Sequence, residues 1–413
     1  MPIPGADFEH RGDGAAPMDP ALPREIAALL DRGARFARPL AASQKGVTPG
    51  SLAELCRRAL ASPIGSPALA SQASARSRIA VIVSDATRDE PRAEMFSAVR
   101  EHLAHLPDSA FTIVIASGTH APRPPETALE PDLLRRFKVV VHDGSDVDGC
   151  VDVGVTPEGT RIRLNRAVVE TDLVVSLGRV RPHYFAGYSG GVKGIFPGCG
   201  FSIDVRQNHL FKADPTARLG RIGDNRCRAD MEAAVGLLSV PKFLLNVIAD
   251  CDNGAVDAVA GDIVLAHREA ARRAAPWFQV EAPRARVVVT TDRPPVTSSL
   301  YQAAKCLPPA GAVLEEGGTA VLVADCSEGT GPLDIVNRGI YELGVRLAMP
   351  KDHTVRLVSG LAPDVADKTF ARRADTIERA LADAGIPPGA PLDDVAVLWR
   401  AGEMIPVPPP RLL

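Results

Sequence analysis

From Ser77 onward the chain repeats one pattern: a short apolar run that ends in polar residues, followed by a segment with helical spacing. RIAVIVSD (Arg78–Asp85), FTIVIASG, KVVVHD, DLVVSL and FLLNVIAD read as buried strands. Between them EMFSAVREHLAHL places Phe96, Val99, Leu103 and Leu106 at near-helical intervals. Further helices are expected over Glu126–Arg136 and from Ile263 to about Ala275. A second series follows: RVVVTTD, a helix near Tyr301–Cys306, TAVLVAD, the helix candidate IVNRGIYELGVRL, TVRLVSG, the helix FARRADTIERALADAG, and VAVLWRAG. Two such series predict an α/β fold of two α/β domains with mainly parallel sheets and a cleft between them. Prolines 276 and 283 bracket the break. The expected layout is a tail over residues 1–20, an N-terminal domain over 21–276 and a C-terminal domain over 284–413.

The 413 residues carry a formal net charge of −3, which argues against a general electrostatic grip on nucleic acid or anionic membrane. No apolar run approaches the roughly 20 residues a membrane helix needs. The first residues lack a basic patch followed by an apolar core, so a secretory signal is not expected and a cytoplasmic location is. The seven cysteines form no CxxC, which disfavours a disulfide framework or a cysteine zinc site and leaves them as small buried hydrophobes.

In parallel α/β sheets ligands sit outside the carboxyl ends of the strands, and polar residues gather there in this chain. The first strand ends in Asp85-Ala86-Thr87-Arg88 and the second in Ser117-Gly118-Thr119-His120. DLVVSL leads into Arg181-Pro182-His183 and then the glycine loop Ser189-Gly190-Gly191-Val192-Lys193-Gly194. His209 follows Asn208 in a polar stretch, and Tyr301, Gln302 and Lys305 share about one helical turn. Each residue also has a plain structural alternative. Asp85 suits a helix N-cap, Arg88 and His209 suit an exposed surface, and His120 suits a packed histidine. The glycines permit close backbone approach to a ligand, and Lys193 could meet a phosphate or react as an amine; GxxxxGK[ST] is absent, so this is not a P-loop. The residues by themselves describe a two-domain α/β enzyme for a small anionic substrate, with histidine acid–base chemistry.

Through HYFAGYSGGVKGIFPG the chain resembles the lactate racemase family, enzymes that use a nickel-pincer nucleotide. The family's D-x-T-R element matches Asp85–Arg88, its G-x-H matches Gly118–His120, and its H-x-F-A-G-x-S-G-G-x-K matches His183–Lys193. A histidine sixteen residues after the lysine matches His209, and Y-Q-x-x-K matches Tyr301–Lys305. The resemblance implies that Lys193 carries the cofactor through a thioamide link. It implies that His209 is the protein's ligand to nickel, a pairing that suits imidazole. His120 and His183 would be the acid–base pair of a racemase or epimerase that inverts C2 of a 2-hydroxy acid by reversible hydride transfer. Arg88, Gln302 and Lys305 would hold the substrate carboxylate beside Tyr301, and Asp85 would orient cofactor or histidine. Cofactor-maturation proteins are the implied partners, and protein made without them would be apo.

Several features depart from the family pattern, among them Arg181-Pro182 before His183. Asp89 stands where proline is usual, an added negative charge beside Arg88. Val192 stands where arginine is frequent. The stretch from Ser327 to about Val355 is shorter than in lactate-specific members, so larger or more polar 2-hydroxy acids are candidate substrates. A different class of function is a hydrolase or lyase with a metal on His120, His183 and His209, which the lack of HxH or HExxH disfavours. A non-catalytic nucleotide carrier is the third, disfavoured because both His120 and His183 are present.

Overall fold

The computed structural model describes residues 22–409; the expected tail over residues 1–20 lies outside the described residues. The described residues form two compact units, one over Ala41–Pro276 and one that joins residues 22–40 to residues 277–409. Each is α/β. Among the described residues no helix is long and apolar enough to cross a membrane.

The Ala41–Pro276 unit is built on six strands in the order Ala255–Gly261, Lys242–Ala249, Leu173–Val180, Ile79–Ser84, Phe111–Ala116, Lys138–Val141. All neighbours are parallel except the edge pair Lys242–Ala249 and Ala255–Gly261. A parallel sheet is covered on both faces, so its strands are apolar throughout. Ile79, Val81 and Val83 enter one core with Phe96, Phe111 and Ile113, while Ala80 and Ile82 enter the other with Val114, Val174 and Leu244. The chain passes from Ile79–Ser84 outward through Phe111–Ala116 and Lys138–Val141, then returns to Leu173–Val180 on the other side of Ile79–Ser84. The order therefore reverses between Ile79–Ser84 and Leu173–Val180, and a crevice opens at such a switch point.

The second unit has the order Arg35–Ala37, Val395–Leu398, Ala285–Thr290, Leu314–Ala324, Thr354–Ser359, Arg372–Arg373, with every pair parallel. Its layers are Val288, Leu322 and Leu398 on one face and Val287, Val289, Val321 and Val397 on the other.

Several expectations change. Residues 22–40 belong to the C-terminal unit, not to an N-terminal domain starting at 21: Arg35–Ala37 pairs with Val395–Leu398, and Ile26 and Leu29 are buried against that sheet. Residues 277–283 also belong there, because Gln279–Glu281 pairs with Ile405–Val407. The expected helix over 126–136 is α-helical only from Pro131 to Arg136. In FARRADTIERALADAG, Arg372–Arg373 is an edge strand, and the helix starts at Ile377, where the Thr376 side chain accepts from Arg379 N. Ile335–Val345 is π-helical, and its buried Val336, Ile340, Tyr341 and Val345 fall at intervals that suit a wider turn. The hairpin of Cys150–Val155 and Arg161–Asn165 escaped the sequence reading because its apolar residues alternate with polar ones and form no continuous apolar run.

Candidate active site

Three neighbouring strand ends at the switch point carry the motif residues. After Ile79–Ser84, Asp85 accepts at Oδ1 from Thr87 N (3.1 Å) and Thr87 Oγ1 (2.5 Å), and Arg88 Nη1 donates to Thr87 Oγ1 (3.2 Å). Arg92 closes the turn by donating to the carbonyls of Ser84, Asp85 and Arg88. The other Asp85 oxygen lies 2.8 Å from His120 Nδ1, which sits after Phe111–Ala116. Burial raises the Asp85 pKa, but the hydrogen bonds from His120 and Thr87 and the nearby charges outweigh it and hold the carboxyl below its usual value. An ionised carboxylate only accepts, so Nδ1 of His120 carries the proton of this hydrogen bond.

After Leu173–Val180, a tight antiparallel pairing of Pro182–His183 with Gly187–Tyr188 turns the chain into the glycine loop. Ala186 N donates to His183 Nδ1 at 3.3 Å, and His183 Nε2 lies 3.3 Å from Lys193 Nζ. The loop needs its glycines. Gly190 and Gly191 have φ of 78° and 61°. A Cβ on Gly191 would stand 2.5 Å from His267 Cγ and 2.6 Å from Arg228 Nη2. Those two buried groups hold the loop carbonyls: His267 Nε2 donates to Ser189 O (2.7 Å) and Arg228 Nη1 to Tyr188 O (3.2 Å). Burial lowers the Arg228 pKa to about 10. His267 is thus a structural histidine.

Helix Ser202–Leu210 brings His209 to the same place. It is anchored to the hairpin by Asp204, which accepts from Arg163 N (2.8 Å) and Nε (3.0 Å). The ring of Phe185 lies at the centre, with centroid distances of 4.5 Å to His183 and 4.9 Å to His209. Lys193 Nζ is 5.3 Å from its centroid and Lys212 Nζ 5.6 Å. Burial, then the ammonium groups of Lys212 and Lys193, hold His209 well below the usual imidazole pKa, so its ring is neutral. Burial also lowers Lys212 to about 8. Lys212 escaped the sequence reading; its one signal is its place three residues after His209.

His183, Lys193 and His209 are therefore brought together, and Asp85, Thr87, Arg88 and His120 form a second group. Gly118 N donates to Gly198 O at 2.9 Å, joining the loops of the two groups. Tyr301, Gln302 and Lys305 form their own group in the other unit, after Ala285–Thr290: Lys305 Nζ donates to Gln302 Oε1 and lies 5.7 Å from the Tyr301 ring centroid. The loop after Leu314–Ala324 packs on them, with Leu300 N and Tyr301 N donating to Gly329 O and Thr330 O at 3.1 Å each. Asp89 turns to Asn253, whose Oδ1 accepts from Arg179 and Arg181. Its charge is thereby engaged by that cluster. Val192 is fully buried. All seven cysteines are buried and reduced.

Among the described residues no three His, Cys, Asp or Glu side chains converge as a metal-ligand set. The hydrolase alternative needs such a set from His120, His183 and His209, and His120 is instead tied to Asp85. One neutral imidazole beside a lysine amine fits a different need: a metal whose other donors arrive with an attached cofactor.

The family model of the lactate racemase N-terminal domain matches residues 40–220. The chain is 31% identical over 313 residues to lactate racemase of Thermoanaerobacterium thermosaccharolyticum, covering 74% of this chain and 72% of that one. It is 30% identical over 285 residues to lactate racemase of Lactiplantibacillus plantarum, covering 67% of each. The lactate racemase apoprotein structure from Thermoanaerobacterium thermosaccharolyticum superposes with a TM-score of 0.78 at 25% identity, covering 91% of this chain and 96% of that one. A Thermotoga maritima protein shares the fold at 15% identity, with a TM-score of 0.66 over 87% of this chain and 100% of that one. With its fold, its motif groups and these relatives in agreement, the chain belongs to the lactate racemase family and is an isomerase, a racemase.

Proposed function

We propose that this racemase inverts C2 of a 2-hydroxy acid with a nickel-pincer nucleotide carried on Lys193 and ligated by His209. The observation that carries the reading is the convergence of His183, Lys193 and His209 on one aromatic ring, Phe185. When bound, the nucleotide supplies a site that accepts and returns hydride. The chain's own residues do the rest. Arg88 binds the substrate carboxylate, and Gln302, Lys305 and Tyr301 are proposed as substrate-binding groups of the second unit. His120, with its Nε2 lone pair and its Nδ1–H held by Asp85, takes the hydroxyl proton as the C2 hydrogen leaves. Asp85 steadies the imidazolium that results, as a carboxylate does for a catalytic histidine. His183 handles the proton for the opposite enantiomer. Two imidazoles on separate strand ends suit a reaction that must run from either hand. Phe185 and the buried loop behind it limit water at the reacting carbon.

The test is co-expression with cofactor-making proteins, intact mass, and a chiral assay over a panel of 2-hydroxy acids. A mass increase lost in Lys193→Ala, together with interconversion of enantiomers, is expected. Full isomerisation by Lys193→Ala, or zinc on a chain with unmodified lysine, overturns the reading.

A further inference from the structure

We propose that Asn208 and Asp230 are positioning residues that hold the His209 ring in the one neutral tautomer able to present Nε2 to a metal. The proposal rests on the reading of His209 as the nickel ligand. Asn208 and Asp230 are fully buried beneath the site, together with Thr156 and Thr160 from the hairpin turn.

Asp230 Oδ1 accepts from Thr156 Oγ1 at 2.5 Å, and Oδ2 accepts from Thr160 Oγ1 at 2.9 Å and from Asn208 Nδ2 at 2.8 Å. The Asn208 amide also donates from Nδ2 to Cys227 O at 3.2 Å. A carboxylate and a carbonyl can only accept, so two partners independently require the amide nitrogen on this side. The Asn208 oxygen must then face the other way, where it lies 3.2 Å from His209 Nδ1. An amide oxygen offers no proton, so Nδ1 of His209 bears the hydrogen and Nε2 bears the lone pair. A buried aspartate thereby sets the tautomer of a ligand histidine through one intervening amide. Histidine ligands commonly donate their second ring N–H to a carboxylate or carbonyl, which fixes the ring and raises its basicity. Asn208, one residue before the ligand, delivers that contact without placing a negative charge against the ring.

The arrangement also explains the hairpin. Its turn supplies both threonines, and its second strand anchors helix Ser202–Leu210 through Arg163 and Asp204. The helix that carries His209 and the carboxylate that orients it are thus set by one supporting element.

Two readouts test this without reference to turnover. The first is the ring nitrogen NMR signature of His209 in protein made without cofactor. The wild type is expected to show Nδ1–H with an unprotonated Nε2, whereas Asn208→Leu, which removes the amide acceptor, is expected to populate Nε2–H. The second is nickel release from loaded protein into excess chelator, expected to be roughly 10- to 100-fold faster in Asn208→Leu. Asp230→Leu, which removes the carboxylate that holds the amide, serves if Asn208→Leu does not fold, and the same two changes are expected of it. Unchanged tautomer and unchanged release would overturn the proposal and leave the Val205 backbone, which also hydrogen-bonds the ring, as the sole orienting contact. His209→Ala is the separate check on the parent reading: nickel retained as in the wild type would reject His209 as ligand, while the NMR result still judges the positioning claim.

Discussion

In the proposed reaction His120 is a base, and Asp85, 2.8 Å from its Nδ1, fixes which nitrogen holds its proton. Asp85→Asn keeps the shape but lets an amide nitrogen face Nδ1. Turnover of loaded enzyme is expected to fall by about 10² or more, with nickel content unchanged by metal analysis. The same pair has a pH signature. Asp85 is held below its usual carboxylate pKa, so its stabilisation is complete above the unfolded value of about 4 and is lost as pH falls through the folded value. Urea unfolding of wild type and Asp85→Asn is therefore expected to differ by a constant amount above pH 5 and to converge in acid. The side chains on both sides of this pair stood out in the sequence as strand-end residues. Their contact did not, because Asp85 and His120 are 35 positions apart and meet only when two strands align.

At the scale of elements, the glycine loop is a backbone shape locked by buried cations and amides. Gly191 sits at φ 61° with no room for a Cβ. Gly191→Ala is expected to destabilise the Ala41–Pro276 unit by roughly 2 kcal/mol or more, combining left-handed strain with overpacking, as read by denaturant unfolding. The glycines and the lysine were legible from the motif; Arg228 and His267, which brace the loop from behind, and Asn246, whose Oδ1 accepts from Gly191 N at 3.0 Å, were not. Nothing local marks a buried arginine as a brace when its helix is read alone. The hairpin was missed for a related reason. Its strands alternate apolar and polar residues, but contacts with Asp230 and Asp204, which lie elsewhere in the chain, place them.

For the whole molecule, the N-terminal segment has the clearest consequence. Ile26 and Leu29 are buried in the C-terminal unit, whose edge strand is Arg35–Ala37. Leu29→Ala is expected to cost about 2–5 kcal/mol in the transition of that unit. In calorimetry the transition of the Ala41–Pro276 unit should stay where it is; a shift of that transition instead would refute the assignment. Local pattern alone determined the central strands of both sheets, most helices, the α/β class and the motif residues, because apolar periodicity and glycine placement act over a few residues. Only the tertiary structure decided that the first strand joins the last sheet, that one phenylalanine gathers two histidines and two lysines, and that an aspartate reaches His209 through an amide. Those outcomes depend on distant segments competing for the same sheet edges and buried donors, and no stretch of chain read alone contains that information.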